Sequence, residues 1–303
     1  MIIRPHPRTW QLLFILRGSI VPQVAPRVLG IGLLAVAVSA VAQAYPAVFA
    51  GVSMAPFTLV GAALSIFLSF RNSACHARWW EGRQQWGQLI VDARGFARHV
   101  QALLPGDAFL QDILLRGVIG FTHGLNARLR RRDQAQAMQP WLQGPLQDAA
   151  TRPNPVDGVL HGLNALLGEE LRAGRLDRFL YPTLAAPLDS LGQVQAACER
   201  IAGTPLPFAY TLLLHRTALL FCVLLPFGLA GSLGWATPLL SMILAYAFFG
   251  LDVLGDQMED PFGLEPNDLP LDAITRTVEI ELLASLGVSP LPAPLQPQHH
   301  VLT

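Results

Sequence analysis

The sequence predicts an all-α integral membrane protein with four transmembrane helices and a large cytoplasmic helical region. Three observations carry this. Apolar residues make up 52% of the 303 and charged residues only 14%, well below the roughly 25% of a soluble domain. Two stretches, residues 28–70 and 217–251, contain no Asp, Glu, Lys or Arg over 43 and 35 positions. Elsewhere apolar residues recur at helical spacing, and the alternation of a half-buried strand is weak.

A membrane-spanning helix needs about 20 apolar residues. Each charge-free run is long enough for two, and each carries breakers near its middle. The first breaks at Tyr45-Pro46 and Gly51-Val52-Ser53, the second at Gly231-Ser232-Leu233-Gly234. The expected spans are 28–50, 55–75, 208–230 and 235–253. Arg4, Arg8, Arg17 and Arg27 precede the first span, Arg71, Arg78 and Arg83 close the second, and Arg216 lies near the start of the third. The two short loops carry no positive charge. The positive-inside rule then places both termini and the insert 76–207 in the cytoplasm of a multi-pass cell (inner) membrane protein.

The insert is a different material. Residues 72–215 hold 14 Arg and 12 acids. Trp86, Leu89, Ile90 and Phe96, then Phe109, Leu110, Ile113, Leu114 and Ile119, recur at helical spacing. Long amphipathic helices are expected, broken by a Pro/Gly-rich loop from Gln139 to Gly158. The helix of the second span is expected to continue past the membrane. Residues 289–303, with Ser289-Pro290-Leu291-Pro292-Ala293-Pro294, read as a flexible tail. No signal-peptide pattern opens the chain, since the first long apolar run starts only after Arg27.

Composition removes several functions. All 21 basic residues are Arg, so a Schiff-base or P-loop lysine is excluded. Equal numbers of basic and acidic residues leave no surplus for nucleic acid. Cys75, Cys198 and Cys222 are far apart, with no CxxC for a zinc site. Gly30-Ile31-Gly32 sits inside an apolar span and reads as helix packing. His76, His99, His123 and His161 are scattered. Charge is nonetheless sorted: residues 252–303 carry nine acids and one Arg. Asp252, Asp256, Glu259, Asp260, Glu265, Asp268 and Asp272 either collect cations or form salt bridges and caps.

The second span is the most patterned. Gly61, Ser65 and Ser69 form a small-residue face that lets helices approach closely. Ala62, Ile66 and Phe70 lie on the adjacent face. Around a symmetry axis, Ile66 and Phe70 would form apolar rings, which block ions by dewetting when narrow. Leu59 and Leu68 are expected on other faces. On pattern alone, ordinary packing within one subunit is the better explanation.

Phe70-Arg71-Asn72-Ser73-Ala74-Cys75-His76-Ala77-Arg78-Trp79-Trp80-Glu81 with Trp86-Gly87 resembles the bestrophin signature. So does Glu259-Asp260-Pro261-Phe262-Gly263 with Asn267-Asp268-Leu269-Pro270-Leu271-Asp272. Arg4-Pro5-His6, Ala55-Pro56-Phe57 and Cys198-Glu199-Arg200-Ile201-Ala202 match the bacterial branch, and the likeness covers about residues 1–288 as one domain. The resemblance implies a homopentameric, passive ion channel in a lipid bilayer, not an enzyme, with no cofactor. By position, its neck falls on Ala62, Ile66 and Phe70, with a second, cytoplasmic aperture near Leu180 and Phe179. Ala62 is smaller than the bulky residue usual at that layer. Glu259, Asp260, Pro261, Phe262 and Gly263 become a structural or gating motif whose acids pair with donors. Animal members are calcium-activated and pass anions, using a run of consecutive acids after Pro-Phe-Gly. Here that place reads Leu264-Glu265-Pro266-Asn267-Asp268, a departure that leaves no metal ligand set to name. Bacterial relatives with this arrangement resemble cation-conducting members, so the resemblance implies monovalent cations as the permeant ions, with anions the alternative. A membrane-anchored carrier or a scaffold for a soluble partner are the remaining readings.

Overall fold

The computed structural model describes residues 1–4, 10, 15, 18–49 and 51–303. Pro5, His6, Arg8 and Arg17, used above for the family match and orientation, lie outside the described residues, as does Ala50 at the end of the first expected span. The eight long helices of the described residues are α1 Val21–Ala44, α2 Ala55–Leu103, α3 Ala108–Leu129, α4 Pro155–Arg172, α5 Tyr181–Gly203, α6 Phe208–Leu233, α7 Thr237–Glu259 and α8 Leu271–Ser285. The chain divides into two compact units. One holds Arg4–Trp79 and Pro205–Asp260. The other holds Met1–Ile3, Trp80–Thr204 and Pro261–Thr303.

The first unit is built from the charge-free runs. Three helical stretches are long and apolar enough to cross a membrane: Val21–Ala44, Ala55–Leu103 and Phe208–Glu259. The third is not one rod. Gly234 takes φ 51°, a conformation open to glycine but costly for other residues. A 3₁₀ turn at Gly234–Ala236 follows, and Pro238 sits in the first turn of α7, where a missing N–H costs nothing. The breaker expected near Gly234 therefore divides α6 from α7.

Helix ends differ from expectation for a physical reason. A charge limits an apolar run without ending a helix. α1 begins at Val21, with Pro22 in its first turn, and carries Arg27 inside it. That guanidinium lies 6.0 Å from the centre of the Phe249 ring, keeping its stem on apolar surface. α7 runs on to Glu259 because its carboxylates have a cation to face, as described below. Between these helices lies a core of Val24, Ile31, Leu64, Leu68, Leu214, Phe221, Leu225 and Phe249. Phe221 and Phe248 meet edge to face at 5.2 Å, the favoured aromatic geometry.

The second unit is centred on α3, most of whose residues are buried. Asp107 caps it by accepting from the Leu110 N–H at 2.9 Å, which satisfies one orphan donor of the first turn. Gly124 leaves room for Met138, and Gly117 for Leu146 and Leu163. Leu110, Ile113, Leu114 and Ile119 face this core as expected, but Phe109 is 73% exposed. From Trp80 onward α2 buries Trp86, Leu89, Ala93, Phe96 and Val100, a stripe at three- and four-residue steps. The helix does continue beyond its apolar part, to Leu103.

The expected loop 139–158 is more ordered than its composition implied. It forms 3₁₀ turns at Gln139–Trp141 and Gly144–Thr151 and then the start of α4. Pro140, Pro145 and Pro155 each sit in a first turn, so these prolines begin turns instead of breaking them. Residues 289–303 end in backbone pairing. Ile3 N–H donates to His300 O, and Leu302 N–H to Met1 O, both at 2.9 Å.

Cys198 is buried, and burial pushes its thiol up to about 12. At pH 8 roughly one molecule in ten thousand would carry the reactive thiolate. Maleimide is expected to leave Cys198 unlabelled in folded protein and to label it after denaturation, read by peptide mass.

Candidate functional site

The first seven turns of α2 touch their own unit along one line. Leu64, Leu68, Arg71 and Cys75, at steps of four, three and four, are buried. Gly61 joins this contact: a Cβ there would sit 3.0 Å from the Phe221 ring. Of the small-residue face, Gly61 thus makes a close approach within the chain. Ser65 and Ser69 stay exposed, and the Ser65 hydroxyl donates back to Gly61 O at 2.8 Å.

Ala62, Ile66 and Phe70 fall on another face. All three are uncovered by the rest of the chain, Ile66 at 55% and Phe70 at 65% exposure. At 100° per residue, four-residue steps bring them onto one shallowly inclined stripe. Leu68 lies on the far side, fully buried, as expected. Leu59 corrects the expectation. Seven residues before Ile66, it returns to within about 20° of the same direction, and it is 72% exposed. It belongs to the uncovered stripe and is no control for it.

Immediately after Phe70 comes a charged cluster in the same unit. Arg71 is fully buried. Its Nη1 donates to Asp252 Oδ1 at 2.9 Å and its Nη2 to Asp256, with Glu259 3.7 Å away. His215 Nδ1 lies 2.7 Å from the other Asp252 oxygen. Glu259 also accepts from the Leu206 N–H at 3.2 Å, and its carbonyl from Arg78 Nε at 3.2 Å. The cluster fastens α2 to α6 and α7 just below Phe70. Gly255 is required there, because a Cβ would lie 2.6 Å from Asn72 Oδ1 and 3.1 Å from Arg71 Nη1. Gly255→Ala is expected to destabilise the protein by about 1–3 kcal/mol, as overpacking does, read as a lower melting temperature in detergent.

Of the two readings of the acidic stretch, salt bridging accounts for Asp252, Asp256, Glu259 and Asp272. Asp272 pairs with Arg130 and lies 3.5 Å from Arg132. Asp260 departs from its expected role: it is exposed and pairs with no cation among the described residues. The next motif residues belong to the second unit. Phe262 is fully buried, and a Cβ on Gly82 would touch its ring at 3.0 Å. Pro261 is buried and Gly263 partly so. Pro261 O accepts from Leu269 N–H at 2.9 Å, closing the loop, while Asp268 accepts from the Glu265 N–H at 2.7 Å. The place of the animal acid run is thus a loop bonded to itself. Among the described residues no three His, Cys, Asp or Glu side chains converge to hold a metal.

Phe179 and Leu180 also lie in the second unit, directly before α5, and both are exposed. Phe179 N–H donates to Asp177 at 2.7 Å, and the Arg178 guanidinium stacks 4.8 Å from the Phe179 ring centre.

A family model described as Bacterial/Fungal Bestrophin protein matches residues 1–284. The chain belongs to the bestrophin family. A relative in Mesorhizobium japonicum, named a voltage-dependent anion channel-forming protein, is 43% identical over 290 residues, covering 96% of this chain and 94% of the relative. One of the same name in Escherichia coli K12 is 39% identical and covers 99% of each. A crystal structure of a bacterial bestrophin homolog from Klebsiella pneumoniae matches with a TM-score of 0.84 at 35% identity, over 88% of this chain and 100% of that one. This bestrophin is therefore an all-helical membrane protein of the ion-channel class and not an enzyme. The Arg71–Asp252 pair is the part of its site that motif reading missed. One signal was available: these are the first charges after the two apolar runs.

Proposed function

We propose that this bestrophin forms a homopentamer around one axis and conducts small monovalent ions passively through a neck lined by Ala62, Ile66 and Phe70. The observation that carries the reading is the uncovered apolar stripe on α2, opposite its buried line. A ring of copies would turn such a stripe to its axis, while the opposite line holds α2 to its own subunit. Four spans, α1, the first part of α2, α6 and α7, cross the cell membrane in this reading. Both termini are cytoplasmic. The pairing of residues 1–3 with 300–302 supports a common side for the two ends. Residues 1–288 act as one channel domain, with 289–303 appended, and Leu180 with Phe179 forms the second constriction.

The neck stripe carries no charge, so dryness is its barrier. Cations are the first reading for the permeant ion, because the loop after Phe262 resembles that of cation-conducting members of the family. Anions are the second, favoured by the printed names of the relatives. Native mass spectrometry is expected to give five subunits. The reversal potential across liposomes under a KCl gradient decides the ion: the sign set by potassium supports the first reading, the sign set by chloride the second. No flux from reconstituted pentamer would overturn both.

A further inference from the structure

Three cations close the apolar runs of the first unit, and two of them have partners. Arg71 is held by Asp252 and Asp256, and Arg27 lies over the Phe249 ring. Arg216 is the third, the last charge before the run 217–251. It is exposed, and it pairs with no acid among the described residues. Its surroundings fix its depth. His215, the residue before it, reaches Asp252 at 2.7 Å, so Arg216 stands where charge resumes on α7. At the far end of α6, Trp235 and Tyr45 are exposed, and such residues settle at a membrane–water interface. With a rise of 1.5 Å per residue, Arg216 and Trp235 are about 28 Å apart. That matches a hydrocarbon layer of about 30 Å and places Arg216 at the opposite interface.

α6 also sets its direction. The Tyr210 hydroxyl donates to Phe67 O at 3.3 Å, and the Phe221 ring packs against Gly61, so both residues turn toward α2. At 100° per residue Arg216 points about 120–140° away from them, out of the bundle. Helical side chains lean toward the N-terminus, here the charged end of the span, where a guanidinium reaches polar groups while its stem stays on apolar surface. Leu213 and Leu220, one turn before and after it, are exposed and line two grooves of about 240 and 280 Å³ between α6 and α2. The grooves share Val60 and Thr217, and from Tyr210 to Leu224 they follow α6 for about 21 Å. A charge-free helix of another copy laid here would cover Arg216 without supplying an acid, and an unpaired charge in hydrocarbon is expensive.

We propose that Arg216 seats the phosphate of a phospholipid whose acyl chain lies in the α2–α6 groove. One molecule then answers both features, the unpaired cation at the interface and the apolar groove beside it. The proposal rests on the membrane reading of α6 and not on conduction. The orientation proposed above makes the leaflet the inner one.

Lipid titrations of the full-length protein in detergent, resolved by native mass spectrometry, test it with phosphatidylglycerol, diacylglycerol of the same chains, and glycerol phosphate. Phosphatidylglycerol is expected to bind at least about fivefold more tightly than diacylglycerol, the usual worth of one cation near a lipid headgroup. Glycerol phosphate, without chains, should not bind at millimolar concentration. Arg216→Gln should weaken phosphatidylglycerol binding by about fivefold, whereas Arg98→Gln, at an exposed position of the second unit, should leave it unchanged. Unchanged affinity in Arg216→Gln would overturn the proposal, and so would diacylglycerol or glycerol phosphate binding as tightly as phosphatidylglycerol. Loss of subunits from Arg216→Gln in lipid-free detergent would also overturn it, because the arginine would then pair with a carboxylate of a neighbouring copy.

Discussion

Asp252→Ala is expected to destabilise the protein by roughly 3–5 kcal/mol, the usual effect of removing one member of a buried ion pair. Arg71 has no exposed surface and Asp252 is 1% exposed, so truncation leaves a buried guanidinium short of one carboxylate. Arg71 Nη1 would lose the carboxylate oxygen at 2.9 Å while keeping the residue 252 carbonyl at 3.2 Å, and His215 Nδ1 would lose its partner at 2.7 Å. Asp256 remains beside Arg71, which limits the loss without restoring the bonds to Asp252. A fall on the order of 10 °C in the melting temperature of the detergent-solubilised protein follows. Asp252→Asn keeps the hydrogen-bonding shape and should fall less. Asp260→Ala should fall little, because Asp260 is solvated within the chain. A large effect at Asp260 with none at Asp252 would mean that the acids are used in contacts between copies and that the Arg71 cluster is dispensable.

Much of the fold could be read from where charge is missing. The runs 28–70 and 217–251 located α1, the start of α2, α6 and α7, and Pro46 and Gly234 marked the breaks. Ends were harder, because a helix outlasts its apolar stretch when a charge finds a partner. Arg27 finds the face of Phe249, and Asp252 finds Arg71. The segment from Gln139 to Gly158 looked like loop because proline was taken as a breaker, although proline in a first turn is a start signal. Of the candidate site, the four-residue spacing of Ile66 and Phe70 was visible, but spacing alone cannot tell which face a neighbour covers. Leu59 was misplaced for that reason. The pairing of Arg71 with Asp252 spans 181 positions and has no local pattern.

Ile66→Ala and Phe70→Ala are each expected to raise ion flux by roughly tenfold, equivalent to about 1.4 kcal/mol off the barrier. The two positions are four residues apart, or about 6 Å along the axis. In the five-fold ring proposed above, each would supply five apolar side chains to one layer. An ion crossing two dry layers must shed water or wait for the ring to widen. Trimming either layer admits water without adding charge, so the ratio of permeant ions should change less than the flux. Phe67→Ala is the matched control. It lies on the same helix, about 100° round from Ile66, and is likewise exposed. The deciding measurement is flux through liposomes holding wild type and the three variants at equal protein density. The account predicts a rise for Ile66→Ala and Phe70→Ala and little change for Phe67→Ala. A rise confined to Phe67→Ala would contradict it, because the pore would then lie along a different face of α2.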